Sequence, residues 1–84
     1  MNEFKVLGLR WLDFKTDDGN IVRGHQLWCL GATVDPNWKT GYEVVKLWFP
    51  EGHPLISTVV SLKTSDSVRV RFNRRGKPDL IELA

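Results

Sequence analysis

The sequence predicts an all-β domain, a small five-stranded antiparallel barrel. Clusters of Gly, Pro, Asn and Asp recur at intervals of eight to twelve residues, the spacing of short strands joined by turns. No stretch carries a convincing helical period, and the clearest segments between turns alternate apolar with polar residues. At 84 residues the chain makes one domain with a thin core, because a chain this short buries only about 60–65% of its unfolded surface. Five strands are too few for two full sheets. Closure into a barrel removes the exposed edges and concentrates the core.

The first strand is expected from Glu3 to Lys15, where Thr16-Asp17-Asp18-Gly19-Asn20 ends it. Gly and Asn tolerate the positive φ that tight hairpins demand. Phe4, Val6, Leu12 and Phe14 share one parity, whereas Leu7, Leu9 and Trp11 share the other. The inward face of the first two strands is therefore left open, and Gly8 is a plausible bulge. A second strand is expected from Ile21 to Ala32, followed by a loop at Asp35-Pro36-Asn37 with Gly41 close behind. The third, Tyr42 to Phe49, sets Val45, Leu47 and Phe49 against Lys46 and Trp48, and stops at Pro50-Glu51-Gly52-His53-Pro54. Leu55 to Leu62 reads as a short strand or a single helical turn. Ser67 to Asn73 sets Val68, Val70 and Phe72 against Arg69, Arg71 and Asn73. Arg74-Arg75-Gly76-Lys77-Pro78 turns the chain, and Asp79 to Leu83 closes it.

Composition narrows the function classes. No apolar run is long enough to span a bilayer, and Met1-Asn2-Glu3-Phe4-Lys5 lacks the basic start and apolar stretch of a signal peptide. Cys29 is the single cysteine, which excludes an internal disulfide and the usual multi-cysteine zinc site. A reduced, cytoplasmic protein is expected. Catalysis is disfavoured: His25 and His53 form no close-spaced metal pair, Cys29 falls in an apolar strand, and the carboxylates scatter over turns. His53, between Gly52 and Pro54, reads as a solvated loop residue. No glycine-rich phosphate loop or nucleophile elbow is present. No enzyme activity, metal, cofactor or small-molecule substrate is expected.

The net charge of +2 hides a segregation. Residues 1–60 hold six Lys/Arg and seven Asp/Glu, whereas residues 61–78 hold Lys63, Arg69, Arg71, Arg74, Arg75 and Lys77 against Asp66 alone. A concentrated basic stretch points to an anionic partner. Aromatic residues number nine, four of them tryptophan. Cations that track phosphates, together with rings on which bases stack, are the means of holding single-stranded nucleic acid. On a strand, residues two apart point the same way, roughly 6–7 Å from one another. Lys46 and Trp48 have that spacing, as do Arg69 and Arg71, and the Arg74, Arg75 and Lys77 turn would extend the positive surface. Trp38 is expected to stand exposed beside Lys39, and Arg23, which shares a face with His25, could join the same groove. The bland alternative is that Arg69 and Arg71 are a solvated strand face and that about two of the four tryptophans belong to the core.

A long first strand, a polar hairpin, two further strands, an irregular link and a β-hairpin describe an OB-type barrel. The closing segment from Ser67 to Leu83 is similar to the last hairpin of many such domains. Size and strand order resemble the small single-stranded DNA-binding proteins of filamentous phages, the gene V type, and comparable proteins of plasmids and conjugative elements. Gly19-x-x-x-x-Gly24 before a β-stretch, and Pro50-Glu51-Gly52 after strand three, fall at similar places. The resemblance implies a barrel that binds single-stranded DNA with little sequence preference, frequently as a homodimer. It carries over strand surfaces and no individual residue.

The expected function is therefore single-stranded nucleic-acid binding, DNA before RNA, through Lys46, Trp48, Arg69, Arg71, Arg74, Arg75, Lys77, Trp38 and Arg23. One rival is an SH3-like module whose tryptophans grip a peptide; it needs no run of basic residues. A second is a homodimeric structural subunit with its aromatics in the interface.

Overall fold

The computed structural model describes residues 2–32, 37 and 42–84. The elements follow in the order β1 (Asn2–Lys15), β2 (Ile21–Ala32), β3 (Tyr42–Pro50), α1 (Ile56–Val60), β4 (Ser67–Phe72) and β5 (Pro78–Leu83). All the strands pair antiparallel in one sheet, ordered β3-β2-β1-β4-β5. The ambiguous stretch after β3 resolves into the single helical turn of α1.

Two hairpins share one turn design. Thr16 N–H donates to Asn20 O at 2.8 Å and Gly19 N–H to Thr16 O at 3.0 Å; Asn73, Gly76 and Lys77 repeat the pattern at 2.8 and 3.0 Å. Gly19 and Gly76 take φ of 90° and 75°, which glycine adopts without the cost a Cβ would impose. This is the three-residue hairpin loop closed by a left-handed residue. Side chains reinforce both turns: Asn73 Oδ1 accepts from the Arg75 and Lys77 amides, and Asp18 bonds Thr16 and Asn20. The Thr16 hydroxyl, followed by the Asn20 amide, holds the Asp18 carboxyl below its usual range.

The core resolves the parity conflict in β1. Phe4 and Val6 are buried, but the register to β2 shifts between Val6 and Gly8. Beyond that bulge Leu9 pairs with buried Leu27, and Trp11 pairs with His25. The odd positions thus take over the inner face, and Leu12 and Phe14 pass to the outer one. Inner residues from every strand meet in one cluster: Phe4, Leu27, Cys29, Leu47, Phe49, Val68, Val70 and Ile81, with Val59 from α1. Phe49 of one edge strand and Ile81 of the other belong to that cluster, so the sheet curls around it.

Among the described residues the sheet is barrel-like but not closed. β3 and β5 are the sheet edges, and among the described residues no ladder joins them. The core is completed instead by α1, which buries Val59 and packs against β5. The expectation that two tryptophans belong to the core fails. Trp11 is exposed, Trp28 and Trp48 are half-buried, and Trp38 lies outside the described residues. Branched aliphatics and phenylalanines fill a core this narrow, and the three described indoles lie at its rims and outer surface.

The bulge makes a direct test of facing. Leu9→Ala should lower unfolding free energy by about 2 kcal/mol, as loss of a packed leucine does. Leu7→Ala, at a position 41% exposed, should change it by about 0.5 kcal/mol or less. Urea titrations of both variants compare the two positions; equal losses would contradict the inversion.

Candidate nucleic-acid interface

The outer face of β1, β2 and β3 is built in cross-strand rows. Gly8 lies opposite Trp28, which lies opposite Lys46; Arg10 lies opposite Gln26, which lies opposite Trp48. The row Lys5, Leu30, Val44 lies to one side, and Leu12, Gly24, Pro50 to the other. These four rows contain Lys5, Arg10 and Lys46 and not one carboxylate. Trp28 and Trp48 are diagonal neighbours on adjacent strands, a relation that sets positions roughly 7–8 Å apart.

Each indole is held. Trp28 Nε1 donates to Gln26 Oε1 at 2.8 Å, and Lys46 Nζ stands 5.1 Å from the Trp28 ring centroid. A cation over an exposed indole contributes about 0.5–1 kcal/mol, enough to bias the lysine toward the ring. Trp48 rests on Gly24. A Cβ built at Gly24 would lie 2.8 Å from Trp48 Cη2 and Cζ2, and 2.5 Å from Phe49 O. Glycine is required there so that the large ring can lie against the backbone. Beyond Leu30 and Lys5 the face runs into an open depression where Glu3, Phe4, Gly31, Tyr42 and Ser67 also contribute, so a carboxylate borders the rows on that side.

Sequence reasoning identified Lys46 and Trp48 on this face and missed Arg10, Gln26 and Trp28. Gln26-x-Trp28 repeats the spacing of Lys46-x-Trp48, a signal that was available. Arg10 had none, because its facing depends on the bulge.

The other described candidates lie elsewhere. Arg23 has the parity of Leu27 and Cys29, so it projects from the face opposite Trp48 and bonds Asp13 Oδ1 at 3.1 Å. Strict alternation along β2 separates it from the proposed groove. Arg69 stands between Glu3 of β1 and Glu82 of β5, and Arg71 Nε bonds Asp79 Oδ1 at 2.9 Å. Exposed pairs of this kind are worth about 0–1 kcal/mol, yet they leave this part of the sheet without a surplus of positive charge. Arg69 is also displaced along the sheet: it registers with Glu3, seven positions before the Arg10 that aligns with Trp48. Arg74, Arg75 and Lys77 are exposed on the β4–β5 turn.

His53 is half-buried, with Nδ1 accepting from the Leu55 amide at 3.1 Å and its ring edge-on to Phe49 at 5.2 Å. It fixes the turn into α1, in place of the solvated role expected. Cys29 is fully buried, and burial pushes its thiol up to about 11, far from the thiolate a nucleophile needs. Among the described residues no group of three His, Cys, Asp or Glu could hold a metal ion, and no helix is long and apolar enough to cross a membrane.

Comparison of the chain with protein-family models, curated proteins and solved structures found no match.

Gly24 offers a test of how Trp48 is seated. Gly24→Ala should destabilise the fold by about 1–3 kcal/mol, the usual cost of overpacking, and change the tryptophan emission of the folded state. A wild-type unfolding midpoint and spectrum would mean that Trp48 does not rest on Gly24.

Proposed function

We propose that the outer face of β1–β3 binds single-stranded nucleic acid, DNA in the first instance, with little sequence preference. One observation carries the reading: two held, half-exposed indoles stand with Lys5, Arg10 and Lys46 in four cross-strand rows that contain no carboxylate. Bases stack on the rings, at about 1–3 kcal/mol each, and the cations follow the phosphates between them. A stacked base is recognised by its face, which every base has, so the preference among sequences is weak. The β4–β5 turn, with Arg74, Arg75 and Lys77, supplies a second positive region that a longer strand could reach. The ion pair of Arg71 with Asp79, and the register of Arg69 between Glu3 and Glu82, make the two secondary to Arg10 and Lys46.

A homodimer is a second, compatible reading, and a separate observation favours it. The β4 ladder on β1 stops at Lys5 and the β3 ladder on β2 begins at Gly24, so residues 13–23 form a two-stranded ribbon. Such ribbons are marginal alone, and this one exposes Ile21 on the same face as Trp11. A second copy covering these side chains would stabilise it.

Titration with oligo-dT should quench the intrinsic tryptophan fluorescence, and Trp28→Ala and Trp48→Ala should each weaken binding by about 1–3 kcal/mol with the fold intact. Unchanged affinity in both variants would remove the indoles from the site.

Salt dependence separates the two basic surfaces. Each phosphate contact on a single strand contributes about −0.7 to the slope of log K against log salt. Replacing Arg10 and Lys46 together with alanine should therefore flatten the slope by roughly 1.4, whereas the Arg69/Arg71 double variant should flatten it less. The reverse order would move the phosphate track to β4. For the dimer, light scattering at micromolar concentration should give twice the 9.7 kDa chain mass, reverting to one chain in Ile21→Asp. A monomeric wild type sinks that reading.

A further inference from the structure

Gly8 stands on the β1 side of the proposed interface, and neither its φ nor a lack of space requires it to be glycine. Among the described glycines, Gly19, Gly52 and Gly76 take positive φ, and a Cβ at Gly24 or Gly31 would collide with an aromatic ring. Gly8 does neither: its φ lies outside the positive region, and a Cβ there would meet nothing within 4 Å. Its place in the bulge is no explanation, because the bulge that demands glycine holds it at positive φ. A glycine inside a strand weakens it through backbone entropy and marks a bulge, a tight bend, or a place where a ligand or another backbone comes close.

The surroundings identify what would come close. The strand order sets Lys46 on one flank of Trp28 and Gly8 on the other. Lys46 lies over the indole, and Gln26 fixes the indole nitrogen. The flank toward β1 is left with a side-chain-free floor at Gly8, and Arg10 is two residues further along the strand on the same face. Opposed residues on adjacent strands are only about 4.5–5.5 Å apart at Cβ, so a side chain at position 8 would fill the open space on the β1 side of Trp28.

We propose that Gly8 is the floor of a nucleobase subsite: one unpaired base lies over the Gly8 backbone, against Trp28, with its phosphate within reach of Arg10. This rests on the reading of the outer face as a nucleic-acid interface and adds the position and chemistry of one subsite. The occupant is a single base with a free face. A duplex does not fit, because both faces of its bases are covered by their neighbours.

The test is Gly8→Val, with Gly8→Ala as a smaller step, titrated with oligo-dT and with an abasic oligonucleotide of the same length. Both variants should unfold at or above the wild-type midpoint, since the space is open and β-branched residues suit strands. Gly8→Val should bind oligo-dT roughly tenfold more weakly, within the range of one lost stack. Gly8→Ala should fall between it and the wild type. The salt slope should not change, and the abasic strand should bind wild type and variants equally, because it has no ring to seat. Wild-type affinity for oligo-dT in Gly8→Val overturns the subsite and leaves the interface standing. A wild-type protein that fails to bind oligo-dT at all overturns both. An equal loss on the abasic strand would mean that valine disturbs the backbone track, and the subsite would again be wrong. If Gly8→Val does not fold, Gly8→Ala decides between these outcomes with the same two probes.

Discussion

The irregularity between Val6 and Gly8 is the constraint on which the rest of the molecule turns. A regular strand sends alternate residues to one face without exception, so an unbroken β1 would put Arg10, Leu12 and Phe14 on the same side as Phe4 and Val6. Arg10 would then face the core and Leu9 would face water. One extra residue reverses the alternation. Phe4 and Val6 keep the inner face at the start of the strand, and Leu9 takes it thereafter opposite Leu27. The same shift turns Arg10 outward beside Gln26 and leaves Gly8 opposite Trp28. Core and candidate site therefore depend on one backbone feature.

The outer face is organised by the chain's own contacts. Trp48 is seated against Gly24, and Trp28 is held by Gln26 on one atom and attended by Lys46 over its ring. Side chains already restrained lose less rotamer freedom on binding, and the immobilisation of one flexible side chain costs about 0.5–1.5 kcal/mol. The charge distribution is organised too. Carboxylates on β1 and β5 lie beside the arginines of β4 and across from Arg23, while the rows that hold Trp28 and Trp48 have none. Two parts of one sheet thus carry arginines with different consequences: on β4 they meet acidic neighbours of the same chain, and on β1 Arg10 has aromatic and amide neighbours.

Most of the architecture is legible in local chemistry. Asp18-Gly19-Asn20 and Arg75-Gly76-Lys77 mark the two hairpins because only glycine adopts the left-handed closing position at little cost. Val45-x-Leu47-x-Phe49 and Val68-x-Val70 point inward because a half-buried strand has a period of two. Cys29 sits in the core as its apolar flank suggests. The extent of each strand, and the helical turn among the alternatives after β3, follow from punctuation by Pro, Gly and Asp. Sheet closure was not legible: it depends on whether β3 and β5 meet, and among the described residues α1 completes the core with no ladder between them.

The sequence by itself determined an all-β chain of five strands, its turns, and the outward facing of Lys46 and Trp48, since each follows from residues within a few positions of one another. Tertiary structure decided which cations stand with which aromatics. The six basic residues of 61–78 are conspicuous in a linear count, but charge acts through space, and only the pairing of β4 with β1 and β5 brings Glu3, Glu82 and Asp79 to Arg69 and Arg71. Arg10 and Trp28 are inconspicuous along the chain and become neighbours only when β1 bulges and β2 pairs across it. A shift of one residue in a strand exchanges its faces, and a shift of that kind is set by packing against partners distant in sequence.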